Sequence, residues 1–378
     1  MRQRLCHALH LTVGVWVLLG PWVITSLAQE AQHLTIRTSA GEMFDDNVTF
    51  AKHNTRDDFI TILGVGGGWT KETKLRSFDI NANLTQRFFA RNPDFNTMAE
   101  DAHLLWKGEL SKYSTFSLAN DFTHDVEPRS LEDEFGRTAG RYGYVLNRFN
   151  AEYDKTFTKR FGLATRYAND IHVLSRSDLT DSHAHRAGAD VTYAVSSATT
   201  LLGGYEFSIR DFVPGPSSFT NSALAGFQQY FTPTLYLDGR AGVDVIDTFD
   251  GDVLPRPRVR VSLNREPDAR TRGALVFERA YTTTTFNQSL FKEWKTSLNY
   301  YRQLLRRLSG GLSAFYGQGE YLSTSVKDTF GGVNFGLTYD ITKLITGRAA
   351  YRVSALDSSE PDRGYVKNTV VLGVTMVF

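Results

Sequence analysis

The sequence has almost no cysteine and no long apolar run outside its first segment. Cys6 is the only cysteine in 378 residues, so disulfides and thiol chemistry are excluded from the rest of the chain. Beyond the amino terminus, no apolar stretch approaches the roughly 20 residues that a membrane-spanning helix needs. The hydrophobic content of 41% is also too low for a bundle of such helices. A helical membrane protein is therefore excluded.

The chain also lacks an excess of charge of either sign. The chain carries 42 basic and 41 acidic residues, so no overall basic field points to nucleic acid as a partner. Long segments with the helical period are absent as well. Aromatic residues, in contrast, make up 13% of the chain, with 26 Phe and 17 Tyr, which is typical of tilted strands with aromatic girdles at a membrane interface.

The first 28 residues have the pattern of a secretory signal peptide. Arg2 and Arg4 precede an apolar run from Leu9 to Ile24, and Ser26-Leu27-Ala28 form a small-x-small cleavage site before Gln29. A membrane anchor is the alternative, but the run is short and the cleavage site is good. We expect residues 1–28 to be removed after export and residues 29–378 to form one domain.

The rest of the chain alternates apolar and polar residues over segments of about 10 to 15 residues, the length of membrane strands. In residues 77–88, for example, Phe78, Ile80 and Leu84 alternate with Asp79 and polar neighbours. About 18 such segments can be marked. The pattern predicts an all-β protein: a transmembrane antiparallel up-and-down β-barrel of about 18 strands, within a range of 16 to 20.

The links between these segments alternate in length. Short polar links recur at residues 70–74, 111–114, 154–159, 196–200, 232–234, 265–270, 302–307 and 340–343. Longer and more variable links lie between them, at residues 44–57, 90–97, 126–140, 175–182, 211–217, 247–252 and 356–363. A barrel shows this alternation when its short turns face the periplasm and its long loops face the outside. A soluble sandwich gives no reason for it.

The final segment, residues 364–378, is a strand with one apolar face. Val370, Leu372, Val374, Met376 and Phe378 fall on that face by a period of two. The segment resembles the carboxyl-terminal assembly signal of bacterial outer-membrane barrels. The residues that match this signal are Leu372, Gly373, Met376 and Phe378. Val371 stands where that pattern usually has a polar residue. The resemblance implies recognition by the barrel-assembly machinery.

Near the other end, the segment Glu42-Met43-Phe44-Asp45-Asp46-Asn47-Val48 carries a second resemblance. It resembles the Glu-x-aromatic-x-Asp-Asn-aliphatic opening of the putative beta-barrel porin 2 family, with Glu42, Phe44, Asp46 and Asn47 in the matching positions. Phe44 replaces the more usual Tyr. The family comprises bacterial outer-membrane proteins often associated with exopolysaccharide export, so the resemblance implies an outer-membrane location and polysaccharide-export proteins as partners.

Three groups of residues could carry chemistry, and each has a simpler interpretation. Residues 64–68 are glycine-rich but lack the following helix and Lys-Ser/Thr of a phosphate loop. His183 and His185 could bind a metal, but the spacing places no third ligand. His103 and His124 lie near Asp101, Asp121 and Asp125, which would suit a general base at a hydrolase site, yet scattered histidines produce such neighbours by chance. We expect no enzyme, no cofactor and no metal.

The inward-facing charges separate along the chain. Acid dominates the first half, with a predicted acidic wall of Asp79, Asp101, Glu109, Asp121, Glu152, Asp170 and Asp190. Base dominates the second half, with a predicted basic wall of Arg240, Arg256, Arg258, Arg260, Arg272, Arg348 and Arg352. Arg256, Arg258 and Arg260 form its densest cluster, where we expect any anion preference. The alternative is that charges in a polar lumen pair locally.

These patterns favour a porin-like channel or export component for small hydrophilic solutes or saccharide, working by passive diffusion through a charged lumen. A barrel plugged by its own side chains, acting as an adhesin or structural partner, is the alternative. An outer-membrane hydrolase is the third possibility. Expected partners are outer-membrane lipid and lipopolysaccharide, and nucleic acid is not among them.

Overall fold

The computed structural model describes residues 31–126, 140–247, 253–284 and 290–378, with Ala31 and Leu254 described by their backbones alone. The predicted signal peptide, residues 1–28, and most of the predicted loop at 126–140 lie outside the described residues. Among the described residues, no helix has the length and apolar character needed to cross a membrane.

Eighteen strands and one 3-10 turn, Pro93–Phe95, make up the regular structure. The strands are β1 Ala31–Asp45, β2 Asp58–Glu72, β3 Arg76–Phe89, β4 Thr97–Ser111, β5 Ser114–Asp125, β6 Tyr144–Thr156, β7 Phe161–Leu174, β8 Asp181–Ala194, β9 Thr199–Val213, β10 Ser217–Thr232, β11 Leu235–Asp247, β12 Val253–Asp268, β13 Thr271–Thr283, β14 Leu290–Leu305, β15 Leu308–Tyr321, β16 Lys327–Asp340, β17 Ile345–Ser358 and β18 Tyr365–Val377. Residues 64–68 lie inside β2, as a strand with no helix after them.

Each strand pairs antiparallel with the next, and β18 pairs with β1, so the sheet closes into a barrel. The predicted all-β barrel of about 18 strands is confirmed. At the closing seam, Phe378 and Ile36 exchange two backbone hydrogen bonds, of 2.9 and 3.1 Å. Gly41 and Gly373 are paired there, and a Cβ on Gly41 would lie 2.7 Å from the carbonyl oxygen of Leu372. The seam therefore requires glycine at that position.

Apolar side chains cover the outside of the barrel. On β18, Val370, Leu372 and Val374 are 43%, 58% and 44% exposed, whereas Lys367 and Thr369, on the other face by the period of two, are buried. Paired residues on neighbouring antiparallel strands point to the same side of a sheet. The strand register therefore assigns each residue of the other strands to the outer or the inner face. The apolar outer face suits contact with lipid, and the polar inner face lines a lumen.

The strand connections sort by length onto the two rims. Residues 73–75, 112–113, 157–160, 195–198, 233–234, 269–270, 306–307 and 341–344 form one rim, the short-link rim. Loops including 46–57, 90–96 and 359–364 belong to the other, the long-link rim. One expected long link is wrong: residues 211–213 extend β9 and Ser217 begins β10, so only 214–216 connect them. Two links of that rim, before β14 and before β16, were not among the predicted links.

One seam is incomplete at the long-link rim. β12 and β13 are paired from the short-link rim up to Val259 and Arg279, and no pairing joins residues 253–258 to residues 280–283. In every other seam, the last pair at this rim lies within two residues of the end of at least one strand. The wall of the barrel thus opens between β12 and β13.

Candidate functional site

The inner face of the barrel is the candidate site, because it carries both of the charged walls predicted from the sequence. The register places all of the predicted acidic wall there, with Asp79 on β3, Asp101 and Glu109 on β4, Asp121 on β5, Glu152 on β6, Asp170 on β7 and Asp190 on β8. It places the basic wall there too, with Arg240 on β11, Arg256, Arg258 and Arg260 on β12, Arg272 on β13, and Arg348 and Arg352 on β17.

The acidic arc contains arginines of its own. Asp170, buried at 1% exposure, accepts from Arg148 at 3.0 Å and from Arg186 at 2.6 Å. Asp190 lies 2.8 Å from Arg166. Sequence reasoning missed Arg148, although it lies four residues before Glu152 on the same face of β6. These pairs neutralise part of the acidic wall, so the separation of charge between an acidic and a basic wall stays a prediction.

The inner face of β2 to β5 is linked by hydrogen bonds between polar side chains. His103 Nδ1 lies 2.6 Å from Asp121 Oδ1, and Asn83 donates to Asp101 at 2.7 Å. Thr70 donates to Asp79 at 2.8 Å. His103 is therefore part of a polar wall, 41% exposed in its side chain, rather than one member of an isolated pair.

The other singled-out histidines point outward. His124 lies 3.9 Å from Glu100 on the outer face, and the register puts His183 and His185 there as well. His185 Nδ1 lies 2.9 Å from the Tyr167 hydroxyl. In the described parts of the chain, no group of three or more His, Cys, Asp or Glu residues could hold a metal ion.

The basic arc is also partly matched by acids. Arg258 lies 3.9 Å from Asp244, and Arg260 lies 3.6 Å from Glu278. Arg240 lies 3.5 Å from Asp190 and so joins the two arcs. The arginines of the predicted cluster on β12 therefore differ in their surroundings. Arg258 is near a buried acid, while the side chain of Arg260 remains 52% exposed.

Inner-face side chains are buried at the long-link rim. One aromatic cluster joins Phe50 of the β1–β2 loop to Phe291, Tyr321, Phe330, Leu356 and Tyr365 on β14 to β18. A second joins Tyr142, Tyr144, Leu174 and Leu179, and a third joins Val48, Ile60 and Phe89. Two of these clusters include residues of the β1–β2 loop, so that loop folds inward over the lumen.

The first residues of the β1–β2 loop are fastened to β18. Lys367 Nζ lies 2.7 Å from Asp45 Oδ2 and 3.8 Å from the centre of the Phe50 ring. Asp46 accepts hydrogen bonds from the backbone and side-chain nitrogens of Asn368, at 2.6 and 2.7 Å. Asp45 and Lys367 are buried. These contacts hold the loop, which we name the strap (residues 46–57), against the inner wall.

The strap gives the Glu42–Val48 segment a structural role. Asn47, fully buried, donates to the carbonyl oxygens of Ala51 and Val366 at 2.8 and 2.9 Å. Glu42 faces outward and accepts from Thr61 at 2.7 Å. Phe44, also outward, packs on Phe59 with ring centres 5.0 Å apart. The segment closes β1 and starts the strap.

Charged inner-face residues become accessible towards the short-link rim. Those exposed are Lys107, Glu109, Asp154, Arg166, Arg260, Arg272, Arg348 and Arg352. The lumen is therefore lined by hydrated charges on the short-link side and narrowed by packed side chains on the long-link side. A solute entering from the short-link rim meets fixed charges of both signs before it meets the narrowing.

A closed antiparallel barrel with an apolar outside and a charged inside is a porin-like outer-membrane β-barrel. The family model described as putative beta-barrel porin 2 matches residues 262–378, the end of β12 together with β13 to β18. The predicted resemblance to this family is confirmed by this match, which lies in the last third of the chain, away from residues 42–48. No curated protein matches the sequence.

Solved structures share the barrel. The ferric enterobactin receptor (PfeA) of Pseudomonas aeruginosa, in complex with BCV-L6, has a TM-score of 0.52 at 9% identity, with 93% of this chain and 82% of that chain covered. OccK5 (OpdH) of the same organism has a TM-score of 0.49 at 11% identity, covering 92% and 98%. The receptor's likeness shows a common outer-membrane barrel fold.

Proposed function

We propose that the chain is an outer-membrane channel through which small hydrophilic solutes or saccharides diffuse passively. The observation that carries this proposal is the row of hydrated charges on the inner face, from Arg348 near the short-link rim to Arg260 and Arg352 further in. An inner face with no transport role would have no need to leave such charges in water. Their field would select solutes by sign, and the narrowing would select them by size.

Location and partners follow from the same proposal. After removal of residues 1–28, the barrel would insert into the bacterial outer membrane with its short-link rim in the periplasm. The strand β18, with Leu372, Met376 and Phe378 on its outer face, would be recognised by the barrel-assembly machinery. Polysaccharide-export proteins would be partners if the solute is a saccharide. No catalytic step is proposed for the polar groups of the inner wall.

A plugged barrel is the second candidate, and the strap favours it. Phe50 and the Asp45–Lys367 pair fill space at the long-link rim. Such a barrel would hold loops in place for adhesion or for structural contacts, and it would conduct no ions. The two candidates therefore differ in one measurable property.

Conductance in planar bilayers tests the proposal. Refolded protein is added to a bilayer in 1 M KCl, with heat-unfolded protein as the control. Discrete, reproducible current steps are expected from the folded protein alone. The absence of steps from protein whose folding is verified by heat modifiability would reject the channel and support the plugged barrel.

A further inference from the structure

The opening between β12 and β13 has a cause in the sequence. Pro255 and Pro257 lie on the part of β12 that pairs with β11 but not with β13. Residues two apart in a strand present their N–H groups to the same neighbour, and proline has no N–H. Two consecutive donors are therefore missing from one side of β12. The side on which pairing ends, beyond Val259, is that of β13.

Cationic side chains occupy the opening from the inside. The guanidinium of Arg256 lies 5.4 Å from the ring centre of Tyr281, on the unpaired end of β13. The Nε atom of Arg256 is buried and has no hydrogen-bond partner within the described chain. Arg210, from β9, donates to the carbonyl oxygen of Thr283 at 3.3 Å. The opening thus holds a buried N–H donor, at Arg256 Nε, that could still donate a hydrogen bond.

Two further cations flank the opening on the outside. Arg279 is the last paired residue of β13 and faces outward, since its partners are Val259 and Trp294. Lys292 is the partner of Tyr281 on β14, so it is the diagonal neighbour of Arg279 on the same face. Within the described chain, neither makes an ion pair. Their charges are available to a ligand outside the barrel.

The position along the membrane normal identifies the kind of ligand. On the same outer surface, Trp294 is paired with Arg279, and Phe277 and Tyr316 follow towards the middle of the barrel. Aromatic residues form belts at the depth of lipid headgroups. Cations just beyond such a belt lie where the phosphates of lipids are. Below the opening, Val259, Val261 and Leu263 give acyl chains an apolar surface.

We propose that the opening between β12 and β13 is a binding site for the phosphorylated headgroup of an outer-leaflet lipid. Arg279 and Lys292 bind the phosphate from the outside, and the guanidinium of Arg256 donates to it through the opening. Arginine and lysine are the side chains that bind phosphate best in proteins. The bound headgroup completes a wall in which β12 and β13 lack backbone partners, a lack that is costly next to lipid.

Within the described residues, the arc of β4 to β8 has no comparable site. At the corresponding level of β4 to β8, the outward residues are Glu100, His124, Asn147, Asn169 and His185, and His124 lies 3.9 Å from Glu100. Asn147 and Asn120 donate to each other, at 3.0 and 3.3 Å, and Asn169 donates to the Ala184 carbonyl oxygen at 3.2 Å. That arc offers paired neutral groups and a carboxylate in place of free cations.

Binding of purified diphosphoryl lipid A to the folded barrel in detergent tests the proposal, with lipid retained through size exclusion measured by native mass spectrometry. The probes for comparison are a dephosphorylated lipid A and inorganic phosphate. The variants are R279S/K292S and R256S. The matched control is R302S, which removes an outward cation from the other end of β14.

Diphosphoryl lipid A is expected to bind the native barrel and R302S alike, and at least tenfold more weakly to R279S/K292S. R256S should weaken binding several-fold, since it acts from inside the opening. The dephosphorylated lipid should bind poorly to all of them, and inorganic phosphate should not displace the lipid at equal concentration. Equal retention of lipid A by R279S/K292S and R302S would overturn the proposal.

A second variant tests the opening itself. Pro255→Thr/Pro257→Thr restores two backbone donors to β12, so the ladder to β13 should extend and the opening should close. We expect slower amide exchange at residues 280–283 together with weaker lipid A binding. An extended ladder with unchanged lipid binding would show that the headgroup does not enter the wall, and would overturn the site as described.

Discussion

Arg210 on β9 donates a 3.3 Å hydrogen bond to the carbonyl oxygen of Thr283 at the end of β13. The bond spans three intervening strands, β10, β11 and β12, so it crosses an arc of the barrel instead of following the sheet. At the long-link rim, the barrel is therefore bridged between β9 and β13 as well as by the strap. Two independent contacts narrow the same end of the lumen.

Replacing Arg210 with Ala should destabilise the barrel. A hydrogen bond from a charged donor contributes about 1.5–3 kcal/mol, so the free energy of unfolding in urea should fall by about that amount. Arg348→Ala removes an exposed inner-face arginine and is the control, with little change expected. Equal losses from both variants would mean that the bond across the arc contributes nothing of its own.

Replacing Lys367 with Met should release the strap. The replacement leaves the carboxylate of Asp45 buried without its cation, a loss of about 3–5 kcal/mol for a buried pair. We also expect faster proteolysis within residues 46–57. The control is Lys52→Met, since Lys52 and Asp357 are 3.9 Å apart and exposed, and such surface pairs contribute under about 1 kcal/mol. Unchanged proteolysis in K367M would contradict the role given to Lys367.

The sequence predicts the barrel well because two strong physical constraints act on every strand. Alternation decides which face meets lipid, and it placed Leu372, Asp79 and Arg260 on the faces that the register gives them. Loop length by strand parity then gives the two rims. Both constraints repeat along the chain, so a weak signal in one strand is supported by the others.

Contacts between distant strands leave no such periodic signal. The pairing of Asp45 with Lys367, the reach of Arg210 to Thr283, and the role of Asn47 in the strap depend on how loops fold into the lumen. Pro255 and Pro257, within a strand pattern, are a sequence signal for the incomplete seam. Only the register shows that β13, and not β11, is the strand left unpaired there. Local charge pairs such as Arg148 with Asp170 need it too.

Replacing Leu372 with Arg should impair insertion. Leu372 is 58% exposed on the outer face, where an arginine costs about 2–4 kcal/mol near the middle of the bilayer. Thr375→Arg is the matched control on the inner face of the same strand. The measurement is the yield of heat-modifiable protein in lipid vesicles. Equal yields from the two variants would be inconsistent with the facing of β18.

Single cysteines should label the two rims from opposite sides of the membrane. Residues 29–378 contain no cysteine, so Asn54→Cys in the strap and Lys112→Cys in a short link each give one reactive thiol. A membrane-impermeant maleimide should label Asn54→Cys on intact cells and label Lys112→Cys only after lysis. The reverse pattern would invert the orientation of the barrel.

We propose that solutes pass along the charged inner face, and the reversal potential in a KCl gradient depends on the charges that line this path. R260S/R348S/R352S removes three exposed inner-face cations, and R302S removes an outward cation as the control. At low salt the triple variant should shift towards cation selectivity and R302S should not. At 1 M salt, where the Debye length is about 3 Å, the shift should nearly vanish. An open channel whose reversal potential is the same in both variants at low salt would show that these three arginines do not line the conducting path.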